Sequence, residues 1–146
     1  MRKEAVVKPI LKPLHDHTYS VLRIFAGVLF MIHGTMIVIG YPPSKMKAAT
    51  LASMSGAAGI LELVLGALVT VGFLTSIAAF LASGEMAVAY FMVHAPHGFY
   101  PQLNQGELAV LYCFIFLYIA ANGAGLFSID HLIWGRRATA TVTAAT

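Results

Sequence analysis

The chain has 146 residues, of which 59% are hydrophobic and only 10% charged, with a formal net charge of +3. An average soluble domain carries about 25% charge, and a chain this short cannot hide that much apolar surface in one core. A mean hydropathy of +0.81 therefore excludes an ordinary soluble domain, a disordered tail and a nucleic-acid module. The basic residues cluster near the chain ends, which suits anionic lipid head groups better than nucleic acid.

A membrane-spanning helix needs about 20 mostly apolar residues, and four such runs follow one another. Residues 1–18 form an N-terminal interfacial segment carrying Arg2, Lys3, Lys8 and Lys12, then His15, Asp16 and His17. The first span is expected over 19–39. It is long for a signal-peptide core, contains Arg23, and is followed by no small-x-small site, so an uncleaved helix is expected. On a helical projection Arg23, Gly27, Phe30 and Gly34 share one stripe, with His33 beside it. Gly40-Tyr41-Pro42-Pro43 ends this span.

The second span is expected over 51–71, where Gly56, Gly59, Glu62 and Gly66 share a broad face. Small residues on that face allow close helix approach. Gly72 marks a tight turn into the third span, 74–94, in which Glu85 lines up with Leu81, Ala89 and Met92, and His94 closes the run. The loop 95–105 holds Pro96, Gly98, Pro101 and Asn104. The fourth span, 106–126, opens on Glu107, and its periodicity aligns Glu107, Leu111, Phe114 and Tyr118. A C-terminal segment, 127–146, carries Trp134, Arg136 and Arg137, a pattern typical of a membrane-surface anchor.

These features predict an all-α integral membrane four-helix bundle. Six of the Lys and Arg residues near span ends lie before the first span or after the last, against Lys45 and Lys47 in the first loop. Both termini are therefore expected in the cytoplasm. The single Cys113 sits in an apolar run and excludes dithiol chemistry within one chain.

Charge inside a bilayer costs about 2.5–3.5 kcal/mol per group at the helix centre. Arg23, His33, Glu62 and Glu85 nevertheless fall within the spans, and His94 and Glu107 at their outer ends. One reading makes them structural: Arg23 snorkels, and Glu62 and Glu85 are neutral or paired with Arg23 or His33. The other makes His33, Glu62 and Glu85 proton-handling groups beside an apolar slot that holds a redox cofactor. Tyr90, His94, His97 and Glu107 then line a quinone head-group pocket at the outer face. The His94-x-x-His97 spacing is too common to indicate a metal, and no metal site is expected. No haem attachment motif, P-loop or dinucleotide fingerprint is present in the sequence.

The ordered set of residues resembles the DoxX family of small four-helix bacterial membrane proteins. The match runs through Arg23-x-x-x-Gly27-x-x-Phe30-x-x-His33-Gly34, Gly59-x-x-Glu62-x-x-x-Gly66 and the stretch from Gly84-Glu85 to Phe91. It continues at His94, Gly98, Pro101, Asn104, Gly106 and Glu107. The family takes its name from a subunit associated with a thiosulfate:quinone oxidoreductase, and other members are linked to oxidative-stress assemblies. The resemblance implies a multi-pass protein of the bacterial plasma (inner) membrane with a redox-related role.

Two function classes follow. In one, the chain is a small accessory subunit of a quinone-linked membrane complex, packing on other membrane subunits or on copies of itself. In the other, it is a quinone-binding oxidoreductase subunit that uses its inward His and Glu residues. A small proton transporter is a third possibility, which the resemblance does not favour.

Overall fold

A computed structural model describes residues 10–43 and 48–135. The predicted roles of Arg2, Lys3, Lys8, Lys45, Lys47, Arg136 and Arg137 lie outside the described residues.

Among the described residues the chain is helical, without strands. A single 3-10 turn over Lys12–Leu14 leads into α1, His15–Ile39. Helix α2 covers Met54–Val71 and α3 Thr75–Ala89. The path of α3 continues through a π turn, Tyr90–His94, and a 3-10 turn, Ala95–His97. One turn of helix, α4 (Pro101–Asn104), precedes α5, Glu107–Asn122, and a second π turn covers His131–Gly135.

Three stretches are long and apolar enough to cross a membrane: Lys12–Ile39, Met54–Val71 and Thr75–His97. The fourth apolar helix, Glu107–Asn122, has 16 residues. At 1.5 Å per residue it is about 24 Å long, short of the roughly 30 Å hydrocarbon layer. The expected run to residue 126 stops at Asn122 because Gly123, at φ 79° and ψ −155°, turns the backbone out of the helix.

Local chemistry sets the other limits. Helix α1 starts at His15, so His15, Asp16 and His17 are helical. It ends at Gly40, whose φ of 71° is the left-handed conformation that glycine adopts without penalty. Helix α2 begins three residues later than expected because Ser53 caps it, its hydroxyl accepting from the Gly56 N–H at 3.1 Å. Gly72, again at φ 71°, makes the turn to α3. A Cβ there would run into Ser128.

Helices α1 and α2 pack backbone against backbone. A Cβ on Gly34 would lie 2.6 Å from Leu63 N and 2.7 Å from Gly59 O. One on Gly66 would lie 2.6 Å from Met31 N and 2.9 Å from Gly27 O. Helices α3 and α5 pack through side chains instead, with Ala78, Ala79, Ala82 and Met86 against Ala109, Phe116 and Ile119. Phe30 of α1 meets Phe116 edge-on at 4.8 Å and joins the two pairs.

The stripe expected on the fourth helix faces the other way. Leu111, Phe114 and Tyr118 are exposed, and Ala109, Phe116 and Ile119 form the buried face. Helix α5 is apolar all round, so periodicity cannot tell its core face from its lipid face. Leu81 and Met92, aligned with Glu85, are likewise exposed.

Candidate functional site

Helix α2 carries Glu62 inward among glycines, and α1 carries His33 beside Gly34. The close approach of the two backbones brings the side chains together. His33 Nδ1 and Glu62 Oε2 are 2.7 Å apart. The Glu62 side chain is 4% exposed and that of His33 48%. The glycines thus determine the site as well as the seam, because a wider interhelical gap would separate the pair.

This pair lies on the wall of a partly open cavity of about 390 Å³ lined by residues of α1, α2, α3, α5 and the loop after α3. The apolar part of the wall includes Phe30, Met86, Ala89 and Leu108. Its polar part is His33, Glu62, Tyr112, His94 and Gln105. Tyr112 stacks on Phe116 with ring centroids 5.6 Å apart. His33 keeps its Nε2 edge free of protein partners among the described residues, since its hydrogen bond uses Nδ1 alone. Such a space offers an apolar slot, an imidazole edge and a buried carboxyl: the elements of a site for a flat, weakly polar ring.

The remaining candidates are distributed around this cavity. Both carboxyl oxygens of Glu85 are buried without a hydrogen-bond partner among the described residues. That side chain does not line the cavity, but it lies within electrostatic reach of Glu62 and His33. His94 lines the cavity, and its Nδ1 donates to Asn104 O at 3.1 Å. Tyr90 turns its hydroxyl to Phe99 O and lines a separate apolar cleft beside Phe91, Val110 and Cys113. His97 is exposed and donates from Nδ1 to Val93 O at 2.9 Å. Glu107 is exposed as the first residue of α5, where its charge complements the helix dipole. The structure therefore gathers His33, Glu62 and His94 on one space, and leaves Tyr90, His97 and Glu107 off it.

Arg23 does not snorkel. It is fully buried, and its guanidinium donates to Val69 O and Phe127 O and, at 2.9 Å, to Thr70 O. These carbonyls lie in the last turn of α2 and in the segment after α5. Arg23 is far from any pairing with Glu62 or Glu85. It closes the opposite end of the bundle.

Sequence reasoning passed over three residues. Tyr112 gives no signal within an apolar helix. Gln105 reaches the cavity because it adopts φ 62° at the end of α4, a conformation uncommon outside glycine. Asp130 accepts from Leu74 N at 2.8 Å, Thr75 N at 2.9 Å and the Thr75 hydroxyl at 2.8 Å. It caps α3 from 55 residues away in sequence.

Among the described residues no group of three or more His, Cys, Asp or Glu side chains is placed to hold a metal ion.

Comparison with known proteins fits this picture. The DoxX family model matches residues 18–95, which cover α1 from its first turn, α2, α3 and the π turn. A protein of Haemophilus influenzae (strain ATCC 51907 / DSM 11121 / KW20 / Rd), described as an uncharacterized protein, is 38% identical over 126 residues. That alignment covers 83% of this chain and 94% of the relative. No solved structure matches. The chain belongs to the DoxX family.

Proposed function

We propose that the chain is a small subunit of a redox-active assembly in the bacterial inner membrane, and that its interior cavity takes the head group of a quinone. One observation carries this reading: a buried carboxyl, hydrogen-bonded to a histidine at 2.7 Å, faces a 390 Å³ space bounded mostly by apolar and aromatic side chains, with His94 and Gln105 at its loop end. A purely structural ion pair in hydrocarbon would be packed on all sides, because an open space beside a buried charge forfeits both packing and solvation.

The chain's own residues divide the work. Phe30, Met86 and Leu108 exclude water from the ring. His33, held by Glu62 through Nδ1, presents Nε2 to a ring oxygen. A proton given by His33 Nε2 to a ring oxygen lowers the combined charge of the pair by one and a proton accepted from it raises that charge by one, while the hydrogen bond to Glu62 holds the imidazole in place for either transfer. A quinone supplies reversible two-electron, two-proton chemistry when bound. The electrons come from a partner subunit that carries a redox group.

In the membrane, α1, α2 and α3 each cross, and α5 with the α4 turn above it forms the fourth crossing. Both termini face the cytoplasm and the α3–α5 loop faces outward. The Lys and Arg residues flanking the first and last spans support this orientation.

The test is equilibrium binding of a water-soluble short-chain quinone to the full chain in lipid nanodiscs. We expect saturable binding at one site per chain, weakened tenfold or more by Glu62→Gln and by His33→Leu. No saturable binding to the wild-type chain would refute the reading and leave an accessory subunit without a ligand of its own. Mass spectrometry on protein extracted from its native membrane identifies the partner chains in the same preparation.

A further inference from the structure

Helices α1 and α5 are joined along one part of their length and parted along the other. Near the termini the seam is closed by aromatic side chains. Tyr19 stands edge-on to Tyr118 at 5.9 Å, and its hydroxyl donates to Gly123 O at 2.5 Å. Farther along, Phe30 packs on Phe116 at 4.8 Å and on Tyr112 at 5.7 Å. Beyond Phe30, toward the α3–α5 loop, no ring contact or backbone hydrogen bond joins α1 to α5 among the described residues. The cavity takes up that interval, lined by His33 and Met36 from α1 and by Leu108 and Ala109 from α5.

This cavity is closed on its α2 and α3 sides, where Glu62 and Met86 are buried. It is open between α1 and α5, where Leu29 is 53% and Leu108 66% exposed. The opening starts at the exposed Gln105 in the loop and reaches down to Leu29. Leu29 lies about 15 Å along α1 from its end at Ile39. That is about half of a hydrocarbon layer of roughly 30 Å, so the lower part of the opening faces lipid rather than water.

The side chains around the opening suit that setting. Leu22, Phe25 and Leu29 form an exposed row on α1 at spacings of three and four, and the next position in the row is His33. A lipid-facing row thus ends in an imidazole whose Nε2 has no protein partner among the described residues. A polar nitrogen left against hydrocarbon loses its hydrogen bond to water and gains nothing in exchange. The arrangement fits an occupant with an oxygen for Nε2 at one end and an apolar remainder for the row below it.

We propose that the gap between α1 and α5 is a lateral door to the bilayer. The ring ligand enters through it and carries a long hydrocarbon chain, which stays in the door between Leu29 and Leu108 and runs out into lipid. The ligand class is a membrane-dissolved quinone, and a short-chain analogue binds through its ring alone. This rests on the function proposed above and adds the side from which the ligand arrives and the residues its chain touches.

The test uses the full chain in lipid nanodiscs and a decyl benzoquinone with a diazirine near the middle of its chain. Light attaches the chain to the residues it touches, and mass spectrometry of the digested protein reads their positions. We expect labelling at Leu29 and Leu108, falling tenfold or more when excess short-chain quinone is added and as far in His33→Leu. Competed labelling in the loop 95–105, or on α2 and α3 alone, would send the chain another way and overturn the proposal. Labelling at Leu29 and Leu108 that neither the competitor nor His33→Leu reduces would be ordinary lipid contact, and would overturn it too. So would an unlabelled gap in a chain that runs as a dimer, which would seat a second copy there. Direct binding of the short-chain quinone in the same nanodiscs keeps the two readings apart. Binding with labelling elsewhere removes the door alone, and no binding removes the site with it.

Discussion

Arg23 and Glu62 are both buried charged residues in apolar helices, yet their surroundings are opposite in kind. Every side of the Arg23 guanidinium except Nε meets a backbone carbonyl or packed chain. Glu62 has one side-chain partner, His33, and beyond it an open space. Arg23 joins three segments that are distant in sequence: α1, the end of α2 and the stretch after α5. Glu62 joins only α1 and α2, and neither needs it, since their glycines already hold the backbones in contact. The comparison separates a charge that builds the fold from one that the fold leaves facing a cavity.

Variants can break or sharpen this contrast, and the largest effect is expected at the glycine seam. Gly34→Leu places a side chain where a single Cβ already overlaps Leu63 N and Gly59 O. Overpacking of this kind costs about 1–3 kcal/mol and occasionally more. Here the obstacle is backbone, so a loss at or above the top of that range is expected, together with loss of quinone binding because His33 and Glu62 are forced apart. Unfolding by denaturing detergent in bicelles measures the first effect and nanodisc binding the second.

Arg23→Leu comes next. It strands the carbonyl of Val69 in a buried setting and those of Thr70 and Phe127 in part-buried ones, at about 1 kcal/mol each, the low end of the cost of an unsatisfied group. The expected loss is roughly 3 kcal/mol, with short-chain quinone affinity unchanged in the protein that remains folded. A matching loss of affinity would erase the distinction between the two charges.

Asp130→Ala removes the cap on α3. Loss of an N-cap costs about 0.5–2 kcal/mol, and amide exchange should rise first at Leu74 and Thr75. The smallest effect on stability is expected from Glu62→Gln, about 1 kcal/mol or less, since the amide still bonds to His33. Its effect on quinone binding should nevertheless be the tenfold loss stated above. Stability and binding thus move in opposite order across Arg23 and Glu62.

Much of this was legible in the sequence. The glycine spacing of the first two spans gives both the buried face and the inward direction of Glu62, because Gly27, Gly34, Gly59 and Gly66 are small in a setting where lipid would favour large side chains. Helix ends at Gly40 and Gly72 follow from the left-handed backbone that glycine alone takes easily. The fourth helix resisted the same reasoning. With apolar residues on every side, Leu111, Phe114 and Tyr118 look as buried as Ala109, Phe116 and Ile119.

By itself, then, the sequence determined a helical membrane chain, its breaks, its family and the face of the α1–α2 seam, since hydropathy, turn chemistry and small-residue spacing are local properties. Tertiary structure alone decided that Arg23 closes one end, that Asp130 caps a helix it does not precede, and that His33, Glu62 and His94 share a cavity while Tyr90, His97 and Glu107 stand off it. Those outcomes depend on where separate segments meet. A carboxyl finds its partner through interhelical distance and loop path, which no single span encodes.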